Sequence, residues 1–122
     1  MSSSKRVSEL SGKELDRAVT VEVMGWTGNV VNWRPSTDIG HAMRADERMR
    51  AMHDKHYNHI QARGELLSVR QDFARIFRWT YYDGPLPQAV TGQSFTMLSE
   101  AISRAAVAAV RAINSGNAAG GE

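Results

Sequence analysis

Met24-Gly25-Trp26 and Pro35-Ser36-Thr37-Asp38, separated by a polar insert, are the two stretches that decide the fold of this chain. Glycine accepts the left-handed backbone that commonly ends a helix, so Gly25 predicts a helix end. The serine or threonine after the proline is a good N-cap residue. Asp38 then lies in a first turn, where the helix dipole favours a carboxylate. The two stretches therefore predict one helix, a crossing loop with tryptophan anchors, and a second helix.

The first helix is predicted over residues 12–24. Ser11 and Glu14 have the spacing of a capping box, in which each side chain satisfies a free backbone N–H group. Apolar residues then recur at helical spacing, at Leu15, Ala18, Val19 and Val23. Polar residues occupy the other faces, at Lys13, Asp16, Arg17 and Thr20. This pattern is typical of an amphipathic helix with one face in the core.

The second helix is predicted to run to about residue 52. Its apolar stripe is thin and consists of Ile39, Ala42, Met43 and Met49. Its charged residues are expected in solvent: Arg44, Asp46, Glu47, Arg48 and Arg50. Trp26 and Trp33 lie in the preceding loop, and each offers a large apolar area with one N–H group. We favour packing over the helix ends for both rings, with ligand stacking as the alternative.

The following segment is rich in residue types that favour strands. We predict strands near 57–63 and 71–81, with Phe73, Phe77 and Trp79 on one face of the second. Residues 65–78 also fit helical spacing, so a helix there is the alternative. Residues 84–94 are predicted as a loop. A third helix is predicted over 95–113, with a buried stripe that consists of Phe95, Leu98, Ile102, Ala105, Ala109 and Ala112.

Length and composition predict one domain over residues 10–114, with a flexible N-terminus over 1–9 and a disordered tail over 115–122. The formal net charge is +2, which is a small surplus for a protein that depends on phosphate neutralisation. The chain has no cysteine, so disulfides, thiolate metal sites and thiol nucleophiles are excluded. No apolar run reaches the length of a membrane span. We expect a cytoplasmic protein without membrane contact.

Residues that could bind a metal or act as an acid–base pair are few. His53, His56 and His59 are the one set with metal-like spacing, and we interpret them as solvated histidines rather than ligands. His41 and Asp38 could form an acid–base pair, but no nucleophile is evident beside them. We therefore predict no catalytic residues, no metal site and no cofactor.

One stretch combines cations with aromatic rings, as proteins that bind single-stranded nucleic acid do. Its members are Arg63, Arg70, Arg75, Arg78, Trp79 and Tyr81. An ordinary sheet with one packed face and one wet face gives the same composition, and we favour that interpretation. Exposed strand edges and apolar patches are normally covered. We therefore expect a homodimer, with Phe77, Trp79 and Tyr81 as interface anchors.

The order of helix, Met24-Gly25-Trp26, Pro35-Ser36-Thr37-Asp38, helix, hairpin and alanine-rich helix resembles the phage alpha-beta-alpha sandwich family. These are small phage and prophage proteins, distantly similar to the NinX-like group. Further residues that carry the resemblance are Leu15, Val19, Ala101-Ile102 and Ala105-Ala106. The resemblance implies an α+β fold, an alpha-beta-alpha sandwich in which a small antiparallel sheet is packed by about three helices. It implies no mechanism.

We therefore expect a non-enzymatic accessory or protein-interaction protein with a phage or host protein as partner. The first alternative is an accessory protein that binds single-stranded nucleic acid. The second alternative is an enzyme whose site the sequence does not reveal.

Overall fold

The fold is α+β and combines three helices with a three-stranded antiparallel sheet. A computed structural model describes residues 6–27, 32–52, 60–69, 74–83 and 86–120. A 3-10 turn at Val7–Glu9 precedes helix α1, Gly12–Ala18, which continues as a π-helical turn over Val19–Val23. The later elements are α2 (Ile39–Met52), β1 (Gln61–Val69), β2 (Ala74–Tyr82), β3 (Val90–Ser94) and α3 (Leu98–Gly120). The predicted class, a small antiparallel sheet packed by helices, is confirmed.

Helix α1 and its π-helical turn match the predicted first helix. Leu15 and Val19 are fully buried, and Gly25 has a φ of 71°, so the predicted helix end is confirmed. The Ser11 hydroxyl, however, makes no capping hydrogen bond at the N-cap of α1. The Thr20 hydroxyl donates to the backbone oxygen of Asp16 at 2.7 Å, a bond that competes with the helical ladder where the π-helical turn begins.

Helix α2 begins at Ile39 because Asp38 is its N-cap. The Oδ1 atom of Asp38 accepts a hydrogen bond from the backbone N–H of His41 at 3.1 Å. The predicted cap at Ser36 or Thr37 was therefore wrong by one or two residues. The predicted stripe is confirmed at Ala42 and Met49, which are buried. It was wrong at Ile39 and Met43, which are exposed. The buried face of α2 consists of Ala42, Ala45, Asp46 and Met49.

The sheet has the order β1-β2-β3, so β2 is the central strand. Glu65 pairs with Arg78, and Arg78 in turn pairs with Gln93 across the sheet. Residues 65–69 belong to β1 and residues 74–78 belong to β2, so the alternative of a helix there was wrong. The predicted loop over 84–94 was also wrong at its end, because Val90–Ser94 forms β3.

Helix α3 packs against β2 and β3 and against the other two helices. Ile102, Ala105 and Ala109 of the predicted stripe are fully buried, whereas Phe95 precedes the helix and is 69% exposed. Gly92 of β3 allows this close packing. A Cβ atom at position 92 would lie 2.8 Å from the Cα atom of Ala105. The helix continues to Gly120, past the end predicted at residue 113 and into the predicted tail.

The two faces of the sheet differ in what they contact. Trp79 and Tyr81 face the helices and join the core, and Trp79 packs over Gly64 of the neighbouring strand. Because side chains alternate along a strand, Arg63, Glu65 and Arg78 lie on the opposite face. We call this opposite face the outer face of the sheet.

Candidate binding cleft

An open cleft of about 820 Å³ lies between α1 and the loop over residues 32–37. One side consists of residues of α1 and its π-helical turn: Gly12, Lys13, Asp16, Arg17, Thr20 and Val21. The other side consists of loop residues: Asn32, Trp33, Arg34, Ser36 and Thr37. The α1 residues recur at intervals of three and four, so they share one face of the helix. That face is the polar one that the sequence placed away from the core.

Hydrogen bonds of Ser36 connect the two sides of the cleft. Its backbone N–H donates to Oδ1 of Asp16 at 2.8 Å, and its hydroxyl lies 3.5 Å from the backbone oxygen of Gly12. The backbone oxygen of Ser36 accepts from the hydroxyl of Ser99 in α3 at 3.0 Å. The loop is therefore held against two helices, and the shape of the cleft does not depend on a single contact.

Three cationic side chains line the cleft. They are Lys13, Arg17 and Arg34. Trp33 is only 8% exposed, and its Nε1 atom is buried with no hydrogen-bond partner among the described residues. A buried donor without an acceptor costs about 1–3 kcal/mol, a cost that the packing around the indole has to offset.

The indole of Trp33 is held by aromatic contacts on two sides. It stacks on the His41 ring with centroids 4.9 Å apart, and Trp26 meets it edge-on at 4.8 Å. The Nδ1 atom of His41 accepts from the backbone N–H of Arg34 at 3.0 Å. This bond leaves Nδ1 unable to act as a base, and Oδ2 of Asp38 is 3.9 Å away from it. His41 and Asp38 therefore orient the loop, which argues against the acid–base pair considered from the sequence.

The residues predicted to bind nucleic acid do not form one surface. Arg63 and Arg78 lie on the outer face, where Glu65 is within 4 Å of both guanidinium groups. Trp79 is half-buried and Tyr81 is fully buried, both on the side of the helices. Arg70 and the side chain of Arg75 lie outside the described residues. The described rings and cations therefore point to opposite sides of the sheet.

The dimer interface predicted from the sequence lies on β2, which is the central strand of the sheet. Because β2 is paired with both β1 and β3, it has no free edge for a second copy. Phe77 and Trp79 are half-buried, whereas Tyr81 is fully buried and cannot anchor an interface. The sequence gives no sign of strand order, so the edge strands could not be identified from it.

Tyr81 instead forms a buried network with α2. Its hydroxyl donates to Oδ1 of Asp46 at 2.6 Å, and Arg50 contacts Oδ2 of the same carboxylate at 2.8 Å. Burial and the neighbouring Asp46 raise the pKa of Tyr81 well above its ordinary value. The network connects α2 to the sheet and explains why a carboxylate expected in solvent lies in the core.

The described part of the chain contains neither a metal-binding cluster nor a helix that could cross a membrane. No group of three potential metal-binding side chains occurs there, and the histidines at 53, 56 and 59 lie outside it. None of the described helices combines the length and the apolarity that crossing a membrane requires. Comparisons with protein-family models, with curated proteins and with solved structures found no match for this chain.

Proposed function

We propose that this chain is a non-enzymatic accessory protein of a phage or prophage, and that its cleft binds an acidic segment of a phage or host protein. The phage origin rests on the resemblance of the sequence alone. The observation that carries the binding function is the set of three cations, Lys13, Arg17 and Arg34, that line one cleft with a single carboxylate among its described lining residues.

A carboxylate suits this cleft for reasons of charge and hydrogen bonding. Its negative charge is attracted to the three cations, and its oxygens accept hydrogen bonds from their N–H groups. Asp16 is the one carboxylate among the described lining residues, and its Oδ1 atom is already bonded to Ser36. The excess of positive charge over the cleft therefore remains for a ligand.

The same contacts argue against chemistry in the cleft. A hydroxyl nucleophile needs a general base within hydrogen-bond reach that takes its proton. The hydroxyl of Thr20 donates to the backbone oxygen of Asp16, and the carboxylate of Asp16 accepts from Ser36. These groups hold the cleft in shape, which supports a binding role.

A protein segment suits the cleft better than a strand of nucleic acid. Proteins that bind single strands combine a line of cations with exposed rings on which successive bases stack. Here the cations surround one concave site, and the ring that lines it is buried. The net charge of +2 is also small for phosphate neutralisation.

The test uses fluorescence polarisation with labelled probes: a short oligoglutamate, an oligoglutamine of equal length and an oligothymidylate. We expect only the oligoglutamate to bind. Arg17→Gln and Arg34→Gln should each weaken it about twofold, because an exposed ion pair contributes about 0.5 kcal/mol. Circular dichroism verifies the folding of each variant.

Arg44→Gln is the matched control, because this arginine is exposed on α2 and does not line the cleft. It should leave binding of the oligoglutamate unchanged. Binding of the oligothymidylate without the oligoglutamate would establish the nucleic-acid alternative. Failure of both probes to bind at millimolar concentration would exclude this function of the cleft.

A further inference from the structure

Among the described strands, β1 lies at one edge of the sheet, and its outer side is well suited to pair with another strand. Gln61–Val69 pairs with β2 on one side, and no backbone hydrogen bond joins its other side to any described segment. Leu66 on this strand is 54% exposed. Long edge strands with exposed apolar residues recruit further strands, because their backbone N–H and C=O groups are unpaired.

The charges on β1 are self-complementary about Gly64. Arg63 precedes this glycine and Glu65 follows it, and both side chains lie on the outer face. A second copy that pairs antiparallel with a two-fold axis at Gly64 brings Arg63 opposite the partner's Glu65. The same axis brings Glu65 opposite the partner's Arg63. Directly opposed residues have Cβ atoms about 4.5–5.5 Å apart, close enough for an ion pair.

The helix-facing side of β1 is complementary under the same axis. Ala62 comes opposite the partner's Leu66, so a small side chain meets a large exposed one. Gly64 comes opposite itself and adds no side chain that would separate the strands. A shift of the register by one residue would place Arg63 opposite the partner's Gly64 or Leu66, so the opposed charges would no longer meet.

Glu65 provides independent support for this pairing. Its Oε1 atom is buried and has no hydrogen-bond partner among the described residues. The nearest guanidinium nitrogens, from Arg63 and Arg78, are 3.9 and 3.8 Å away, beyond hydrogen-bond length. The Glu65 side chain as a whole is 31% exposed, so the Arg63 of an opposed strand can approach its carboxylate from the solvent side and add an ion pair.

We infer that two copies of this chain form a symmetric dimer through the β1 edges, in antiparallel register about Gly64. The two three-stranded sheets become one six-stranded sheet. Strand β3 is the other edge strand, but Val90–Ser94 is shorter and none of its residues is charged. The inference does not depend on the cleft, because no residue of β1 lines it.

Light scattering of the full chain tests the dimer by charge reversal. The parent should show a mass that rises toward two copies as the concentration increases through about 10–200 µM, the range expected for a small interface. Arg63→Glu and Glu65→Arg should each be monomeric at these concentrations, since like charges then oppose each other. An equimolar mixture of the two variants should recover the dimer, because an acidic strand meets a basic one. Arg48→Glu, an exposed reversal on α2, should leave the dimer intact.

Disulfide formation tests the register independently of charge. The chain has no cysteine, so each cross-link reports only on the introduced residues. Arg63→Cys mixed with Glu65→Cys should form a disulfide between unlike copies faster than either variant does alone, because opposed Cα atoms lie within disulfide range. A parent that stays monomeric throughout the range would overturn the inference. A dimer that survives both charge reversals, or cysteines that do not cross-link when mixed, would also overturn it.

Discussion

Gly92→Ala should destabilise the protein strongly, because this glycine sets the distance between β3 and α3. An added Cβ would lie 2.8 Å from the Cα atom of Ala105 and closer still to the backbone nitrogen of Ala105 and the backbone oxygen of Ala101. Ordinary contacts begin at about 3.4 Å. All three atoms belong to the backbone of a packed helix, so no side-chain rotation relieves the overlap.

The cost follows from the packing that the change disrupts. Overpacking a tight core costs about 1–3 kcal/mol, and a backbone clash belongs at the upper end of that range. The alanine also lowers the conformational entropy of the unfolded chain, which stabilises the folded protein by about 0.4–1 kcal/mol and offsets part of this cost. We therefore expect a net loss of about 2–3 kcal/mol in the free energy of unfolding. At about 4 °C per kcal/mol, the Tm should fall by about 8–12 °C.

The assay is thermal and urea unfolding followed by circular dichroism, with Gly64→Ala as the control. A Cβ at position 64 would approach only the ring of Trp79, to 2.7 Å, and a side chain can shift where a backbone cannot. Gly64→Ala should therefore cost about 1 kcal/mol or less. A difference of 2 °C in Tm corresponds to roughly 0.5 kcal/mol in the free energy of unfolding. If the Tm of Gly92→Ala lies within that difference of the parent, the reasoning is refuted. A greater loss of stability in Gly64→Ala would also refute it.

Two further predictions concern the core. Tyr81→Phe should cost about 1.5–3 kcal/mol near neutral pH, because the buried Asp46 carboxylate loses a donor. Burial and Asp46 raise the pKa of Tyr81, so the stability that its hydroxyl contributes is complete below about pH 10 and is lost as the pH rises toward the folded-state pKa. Urea unfolding between about pH 8 and pH 11, where this loss begins, should show a smaller decline in the variant than in the parent, and equal declines would contradict this. Ile102→Asp should unfold the protein, since an unpaired carboxylate in the core costs several kcal/mol, whereas the exposed Asn114→Asp should melt near the parent.

Local sequence signals were sufficient for the two helices with a clear apolar period. The buried positions of α1 and α3, such as Val19 and Ile102, follow from spacing alone, because a helix turns its apolar stripe toward any available core. The end of the first helix followed from Gly25, since few other residues adopt its positive φ. In each case the signal lies within a few residues of the feature that it determines.

The third strand and the register of α2 needed the tertiary structure. Residues 90–94 have little of the strand propensity seen in β2, and they form β3 because β2 offers a partner edge and Gly92 admits α3. Asp46 was predicted to be exposed to solvent, because its neighbours in the sequence are charged. Its burial is stabilised by Tyr81, which is 35 residues away along the chain.

The candidate cleft and the dimer edge also depend on tertiary structure. Lys13 and Arg17 were correctly placed on the polar face of the first helix, but only folding brings Trp33 and Arg34 against that face. Likewise, the sequence shows Arg63 and Glu65 on either side of a glycine, whereas the strand order decides that this strand has a free edge. Periodicity fixes which residues share a face of their own element. Which faces meet depends on contacts between residues distant in sequence, and a local pattern carries no information about them.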